Sequence, residues 1–287
     1  MQGNTVLKPF QYPFSGPNDA AVLKPVPNSE RGLVISCALN PRYGAIDPYW
    51  MAASVIDEAI RNNVAVGGRR IALLDNFAWG NPENPEVLGG LVRAAEACYT
   101  FGKGFGTPFI SGKDSLYNQT PLGEISPTLV ITALGIVPEI SRVVSSDLKE
   151  PGNPIYLVGV TKQELGGSEY FRIKKVIGIG SVPRVEAEPA AVLYRTLNRV
   201  LDQPFARACH DISDGGLAVA LAEMSFGGGY GADISLPTIS ENSRKLAVYE
   251  TLFSESNSRF VIEIQKGEED NKRRIVQDLH QKSNGRS

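Results

Sequence analysis

From residue 32 onward the spacing of apolar positions switches repeatedly between a two-residue and a 3.6-residue period, which predicts alternating strands and helices. "GLVISCALN" (32–40) reads as a strand. "DPYWMAASVIDEAIRN" (47–62) reads as a helix with Met51, Val55, Ala59 and Ile60 on one face, and Asp47 ahead of Pro48 supplies its start signal. "RRIALLDNF" (69–77) predicts a buried strand. "PEVLGGLVRAAEACYTFGKGF" (85–105) predicts a helix whose apolar face carries Leu88, Leu91, Ala95, Cys98 and Tyr99 and which stops at glycines. "TPFISG" and "TLVITALGIV" add two strands. Residues 1–31, rich in Pro, Asn and Lys, show no clear period and are expected to form an arm or linker.

The polar, turn-rich run "SSDLKEPGNP" (145–154) marks an expected boundary between a domain at 32–150 and another at 151–287. Past it come a strand "IYLVGV", a glycine loop "ELGGSEYF", a helix near 186–201, a strand "ARACHDI", a helix "GLAVALAEMSF" and a strand in "SRFVIEI", then a charged helix and a polar tail. An α/β domain would return from that last helix to one more strand. None follows, so the second domain is expected to be truncated.

A length of 287 residues accommodates two such domains. With 29 Lys and Arg against 31 Asp and Glu the net charge is −2, which gives no footprint for nucleic acid or an anionic membrane. The opening "MQGNTVLKPFQYPF" lacks a signal-peptide pattern, and the longest apolar stretch, 127–138, is too short for a membrane span. A soluble cytoplasmic protein is expected. Cys37, Cys98 and Cys209 are far apart and outside any CxxC spacing, so buried thiols are expected rather than disulfides or a zinc site.

Three stretches carry candidate chemistry. In "GTPFISGKDSLYN" (106–118) a strand leads into a Gly112-Lys113-Asp114-Ser115 turn. Gly112 would allow backbone approach to a phosphate, Lys113 offers a cation, Asp114 an oxygen ligand for Mg²⁺ and Ser115 a hydroxyl. It is not a Walker A loop, because Asp114 stands where Ser or Thr is required. An ordinary strand-to-turn connection explains the same residues. "LLDNFAWGNPENP" (73–85) brings Asp75 and Asn76 to a strand end, where open α/β sheets gather ligands or where such side chains simply close a turn. Trp79 and Phe77 read as core.

In "CHDISDGGLAVALAEM" (209–224), His210, Asp211 and Asp214 cluster ahead of a helix, and Gly215 and Gly216 offer backbone N–H groups to an anion. The other account makes Asp214 the helix cap and His210 a hydrogen-bonded structural residue. A Ser/His/Asp triad is disfavoured, since the only other histidine is His280 in the tail and no GxSxG is present. The "ELGGSEYF" loop is either another phosphate-approach loop or a surface turn.

Taken in order, "NPRYGAIDPYWMAASVIDEAIRNNVAVGG", "LLDNFAWGNPENPE", "GTPFISGKDSLYN", "PTLVITALGIV", "ELGGSEYF", "HDISDGGLAVALAEM" and "LFSESNSRF" resemble the second half of the large subunit of phosphoribosylformylglycinamidine synthases, in the AIR synthase superfamily. The resemblance runs over residues 16–264. It implies an α+β, AIR-synthase-like two-domain unit: an N-terminal sheet domain that packs into a barrel-like layer shared with a first copy, and a C-terminal α/β domain. The first copy, which carries the catalytic histidine and magnesium-binding acids of such enzymes, has no counterpart here, so no catalytic residue is assigned.

By position, the resemblance implies that Asp75 and Gly112 contact ATP and that Ser115 contacts formylglycinamide ribonucleotide. The Mg²⁺ ligand of relatives that read Gly-Asn-Val-Ser falls on Lys113, which cannot ligate a cation, so the role is moved to Asp114. His210, Asp211, Asp214 and Gly215 match a segment lining an auxiliary nucleotide pocket. The implied reaction uses ATP to convert formylglycinamide ribonucleotide to its amidine, with ammonia from a separate glutaminase subunit, a small bridging subunit and the N-terminal half of the synthase as partners; the isolated chain would be inactive. Two alternatives stand beside it: a stand-alone phosphotransferase of the same superfamily acting as a homodimer, and a nucleotide-binding module without turnover.

Overall fold

A computed structural model describes residues 4–11, 16–176, 180–236, 238–241 and 243–268 of the chain. The expected charged helix after residue 268, with His280, lies outside the described residues. Chain order gives β1 (Thr5–Leu7), β2 (Ala21–Leu23), β3 (Gly32–Ala38), α1 (Pro48–Ala65), β4 (Arg69–Ala78), α2 (Pro85–Phe105), β5 (Phe109–Ser115) and β6 (Thr128–Val137). Then follow β7 (Ile155–Val158), α3 (Ala187–Leu201), β8 (Ala206–Asp211), α4 (Gly216–Gly228) and β9 (Phe260–Ile264).

The first set builds an open six-stranded sheet in the order β1-β2-β3-β6-β4-β5. All neighbours are antiparallel except β4 and β5, which run parallel. β1 and β2 come from the segment expected to be an arm. Pairing of Ala21–Leu23 with Leu33–Ile35 satisfies backbone groups that the sequence pattern, too short to show a period, does not reveal. The second set builds a three-stranded antiparallel sheet in the order β7-β9-β8.

α1 begins as its sequence dictates. Asp47 accepts hydrogen bonds from the backbone of Tyr49 at 3.0 Å and Trp50 at 3.3 Å, with Pro48 at the first helical position; such a cap contributes about 1 kcal/mol. The helix then lies between the two sheets, and Met51, Val55, Ala59 and Ile60 are buried as expected. Nearly all its other residues are buried too, including Asp57 and Arg61, because one apolar core runs from Leu73 and Ile131 in the first sheet to Phe260 and Ile262 in the second.

α2 is helical where expected, capped by Asn84 and ended by Gly106 at φ 69°, and its buried face is partly the expected one. Leu91 and Cys98 pack half-buried against the core, but Ala94, Ala97 and Phe101 face it most fully, while Leu88, Ala95 and Tyr99 are exposed. The inward stripe is rotated toward small side chains that let α2 approach its neighbours closely. The three thiols also differ from expectation: Cys209 is buried, Cys98 half-buried and Cys37 exposed. Alternation along β3 explains Cys37, since Val34, Ser36 and Ala38 point to the helices and Cys37 to the opposite face.

Candidate functional site

The single parallel pair of the large sheet brings two strand ends together. Asp75 lies opposite Gly112, Asn76 opposite Lys113, Phe77 opposite Asp114 and Ala78 opposite Ser115. Lys113, Asp114 and Ser115 therefore belong to β5 rather than to a turn, and Asp75 sits inside β4, which continues to Ala78. The parallel ladder extends both strands past the point where apolar residues stop, and polar strand residues look like loop in a sequence.

Strand alternation sorts these residues into two rows. Asp75, Gly112 and Asp114 share the helix-facing side with Leu73, which is fully buried. Asn76, Lys113 and Ser115 share the other side with Val130 and Thr132 of β6. Gly112 makes room for its neighbour: a Cβ at that position would lie 2.5 Å from Asp75 Oδ1 and 2.7 Å from Oδ2. The Asp75 carboxylate accepts the Lys113 backbone N–H, yet burial, with Asp114 adding negative charge, raises its pKa above its ordinary value. Among the described residues neither Asp75 nor Asp114 forms an ion pair, so this row is rich in unneutralised oxygen.

The chain turns only after Ser115. Trp79 N donates to Ser115 O at 2.9 Å and Tyr117 N to Gly80 O at 3.0 Å. Asn118 closes the corner: its Nδ2 reaches Ser115 O at 2.7 Å, Trp79 O at 3.1 Å and Ser115 Oγ at 3.3 Å. Trp79 is fully buried and donates Nε1–H to Val87 O at 3.0 Å, as a core residue should.

At the end of β8 a second set of titratable groups converges. His210 is buried between two carboxylates, Asp19 at 2.7 Å from Nδ1 and Glu223 at 3.0 Å from Nε2. Burial disfavours its charge, but the two acids outweigh burial and hold the imidazole well above its ordinary pKa. Asp211 accepts from Arg61 Nε at 3.1 Å and is nevertheless pushed up to about 7 by burial. Arg61 also pairs with Asp57, whose carboxylate takes in the Tyr194 hydroxyl, Ser258 Oγ at 2.7 Å and Ser258 N at 3.0 Å. This buried network joins α1 to α3, β8 and the segment ahead of β9.

Asp214 is exposed and accepts from Arg42 and Asn40, each at 3.2 Å, while Gly215, at φ 81°, occupies the cap position of α4. The Gly215 amide donates to Glu255 Oε1 at 2.8 Å and the Gly216 amide to Ser213 O at 3.0 Å, so both N–H groups read as free for an anion are engaged. Glu255 also accepts the Glu169 amide at 2.8 Å and the Tyr43 hydroxyl at 2.5 Å; burial pushes it up to about 7. The "ELGGSEYF" loop packs inward against these groups: Leu165 and Ser168 are buried, and Gly167 at φ 76° lies so close to the Tyr43 ring that a Cβ would fall 2.7 Å from it. It is neither a surface turn nor an open phosphate loop.

Ligand atoms of Asp19, His210 and Asp211 lie within 4.8 Å of one another, and Asp19 Oδ2 is buried without a hydrogen-bond partner. Both acids are already matched by cationic groups, Asp19 by the His210 imidazole held above its ordinary pKa and Asp211 by the Arg61 guanidinium, so the cluster does not fit a divalent cation. The Lys113–Ser115 row does not fit one either, because an ammonium has no lone pair and would repel the ion. Asp19, Asp57, Glu58, Arg61 and Glu255 escape a reading of motifs. The available signal was the presence of three charged residues, Asp57, Glu58 and Arg61, inside the apolar pattern of α1; their partners are distant in sequence and only folding reveals them.

Two α+β domains that share a core around one buried helix, with parallel strand ends carrying Asp, Gly and Ser, define the AIR synthase related class. Residues 17–137 match the AIR synthase related protein N-terminal domain and residues 150–282 the C-terminal domain, and the chain belongs to this family. It is similar to the phosphoribosylformylglycinamidine synthase subunit PurL of Methanothrix thermoacetophila, at 38% identity over 278 residues, covering 94% of this chain and 35% of that protein. The chain thus spans about a third of the length of the curated relatives it matches. Its fold matches T. maritima PurL complexed with FGAR at a TM-score of 0.75 and 19% identity, covering 97% of this chain and 42% of that one. It also matches T. maritima PurL complexed with ATP at 0.67 and 21%, covering 86% and 38%. Among the described residues no helix is long and apolar enough to cross a membrane.

Proposed function

We propose that the chain provides the second nucleotide-handling half of a phosphoribosylformylglycinamidine synthase. The observation that carries this reading is the register of Asp75 against Gly112, with Ser115 three residues further along the same strand. Asp75 and Gly112 contact ATP, and Ser115 contacts formylglycinamide ribonucleotide. In the reaction, ATP phosphorylates the substrate's amide oxygen, ammonia displaces the phosphate, and the amidine, ADP and phosphate result. Transfer of this kind is governed largely by positioning and charge stabilisation, to which a rigid strand end contributes, while any catalytic acid or base comes from the part of the synthase that this chain does not span.

Mg²⁺, when bound with the nucleotide, neutralises phosphate charge. Asp114 beside Asp75 offers one oxygen ligand for it. The auxiliary nucleotide pocket expected from His210, Asp211, Asp214 and Gly215 is kept in a narrower form: His210 and Asp211 shape its floor through their ion pairs, and Asp214, the exposed member, faces a ligand. The opposite wall of the main site comes from the part of such synthases that this chain does not span, in the same polypeptide or another. A glutaminase subunit and a small bridging subunit deliver ammonia, and the assembly works in the cytoplasm.

The half-buried and exposed apolar face of the large sheet, with Ile136 38% exposed opposite Leu33 and Cys37 exposed further along the same face opposite Thr132, suits a shared layer. The same face would serve a homodimeric phosphotransferase, the second reading. Titration calorimetry with ATP and with formylglycinamide ribonucleotide tests the proposal: both bind wild type, Asp75→Ala weakens ATP alone and Ser115→Ala weakens the ribonucleotide alone. A dimer by light scattering that turns over ATP unaided would favour the second reading.

A further inference from the structure

The two rows at the strand end carry opposite chemistry. The Asp75–Asp114 row offers carboxylate oxygens, and the Lys113–Ser115 row offers a cation and a hydroxyl beside the neutral amide of Asn76, whose Oδ1 is buried without a hydrogen-bond partner. We propose that Lys113 takes the place of a divalent cation on this second row, so that its ammonium and the Ser115 hydroxyl hold an anionic phosphate oxygen without a metal ion. The inference rests on the reading above and deepens it, by stating how the phosphate-bearing ligand is gripped.

Residues i and i+2 of a strand stand on one face roughly 6.5 Å apart, a spacing that the flexible lysine stem can close around a single phosphate group. Lys113 is exposed and its Nζ donates to Asp114 O at 3.0 Å. That uses one of three N–H donors, and among the described residues the ammonium has no ion-pair partner.

Asn118 fixes which way Ser115 works. The atom of the amide that faces Ser115 O, Trp79 O and Ser115 Oγ has two carbonyl oxygens within 3.1 Å, so it must be the nitrogen, since the amide oxygen would be repelled. A nitrogen that only donates makes Ser115 Oγ an acceptor. The hydroxyl proton is therefore directed away from Asn118 and offered to a ligand oxygen. Ammonium and hydroxyl together present a donor pair for an anion, and a cation placed among them meets the Lys113 charge.

The test is equilibrium binding to the full chain of ATP, of formylglycinamide ribonucleotide and of inorganic pyrophosphate, each measured with Mg²⁺ and with EDTA, on wild type, Lys113→Met, Lys113→Asn and Ser115→Ala. Because Lys113 is exposed, its two variants should melt with wild type. At least one of the three ligands is expected to bind wild type in EDTA within about threefold of its affinity in Mg²⁺. Lys113→Met should weaken that metal-free binding by about 10- to 100-fold, as loss of a charge-assisted bond does, and Lys113→Asn should make binding require Mg²⁺. Pyrophosphate binding alone would identify a bare phosphate grip, and preference for either nucleotide would identify the source of the phosphate.

Binding that vanishes in EDTA, or a Lys113→Met protein that binds as wild type does, overturns the inference and leaves the nucleotide reading intact. Absence of binding by all three ligands in both buffers overturns both.

Discussion

The Asp75 carboxylate rests over the Cα of Gly112 in the next parallel strand, with its oxygens in the space that any other residue's Cβ would fill. This contact fixes the acid at the strand end, and it makes Gly112 a packing requirement as well as a place of close backbone approach. Gly112→Ala must displace Asp75 or bend β5. We expect a loss of about 1–3 kcal/mol in stability, the usual cost of overpacking, together with loss of ATP binding. Chemical denaturation and calorimetry on the same sample would check it; wild-type values for both would show that the strand end yields freely.

A larger effect is expected at Asp57. Its carboxylate receives Tyr194, Ser258 and Arg61 inside the core that joins the domains. Asp57→Ala leaves a buried guanidinium and a hydroxyl short of partners, a change that costs about 3–5 kcal/mol. Urea unfolding should show the loss, and a change below about 1 kcal/mol would mean that water or Asp211 takes over the role.

Glu255 gives a pH signature. Burial pushes it up to about 7 from an ordinary value of 4.5, so the folded protein binds this proton more tightly than the unfolded chain. Its contribution to stability is complete below the unfolded value and is lost as pH rises through the folded one. Asp211, also pushed up to about 7, acts in the same direction. Glu255→Gln mimics the protonated acid, keeping an acceptor for the Gly215 and Glu169 amides and a donor toward Tyr43. The melting temperature of wild type should fall as pH rises from 4.5 to about 7, and that of Glu255→Gln should fall less. Parallel curves would show that Glu255 stays ionised.

The thiols provide a check on the placement of strands and helices. Cys37 is exposed, Cys98 is half-buried with its thiol pushed up to about 12 by burial, and Cys209 is buried in the core, where burial also raises it well above its ordinary value. Alkylation near neutral pH followed by mass spectrometry should label Cys37 first and Cys209 last. Early labelling of Cys209 would contradict the packing of β8 against α1.

Much of this architecture was legible before folding was considered, because α1, β4 and β6 carry caps and periods that local physics enforces. Asp47 does cap α1, and Trp79 does enter the core. The rest depended on tertiary contact. The ladder between β4 and β5 turns an apparent loop at Lys113–Ser115 into strand, and alternation then separates Lys113 from Asp114, which adjacency in sequence suggests are interchangeable. Asp19 meets His210 across 191 positions, a pairing no local pattern encodes. The small residues Ala94 and Ala97, set between Leu91 and Phe101, mark the buried face of α2, and an apolar count gives them little weight.

The most direct measurement of the central claim is ADP release that depends on formylglycinamide ribonucleotide, followed with the chain alone and after adding the remainder of a related synthase together with ammonia. No release is expected from the chain alone, with restored release in the mixture and a fall of at least about 100-fold when Asp75→Ala replaces wild type, the scale on which lost transition-state contacts are felt. Full release from the chain by itself, or a mixture indifferent to Asp75→Ala, would contradict the claim.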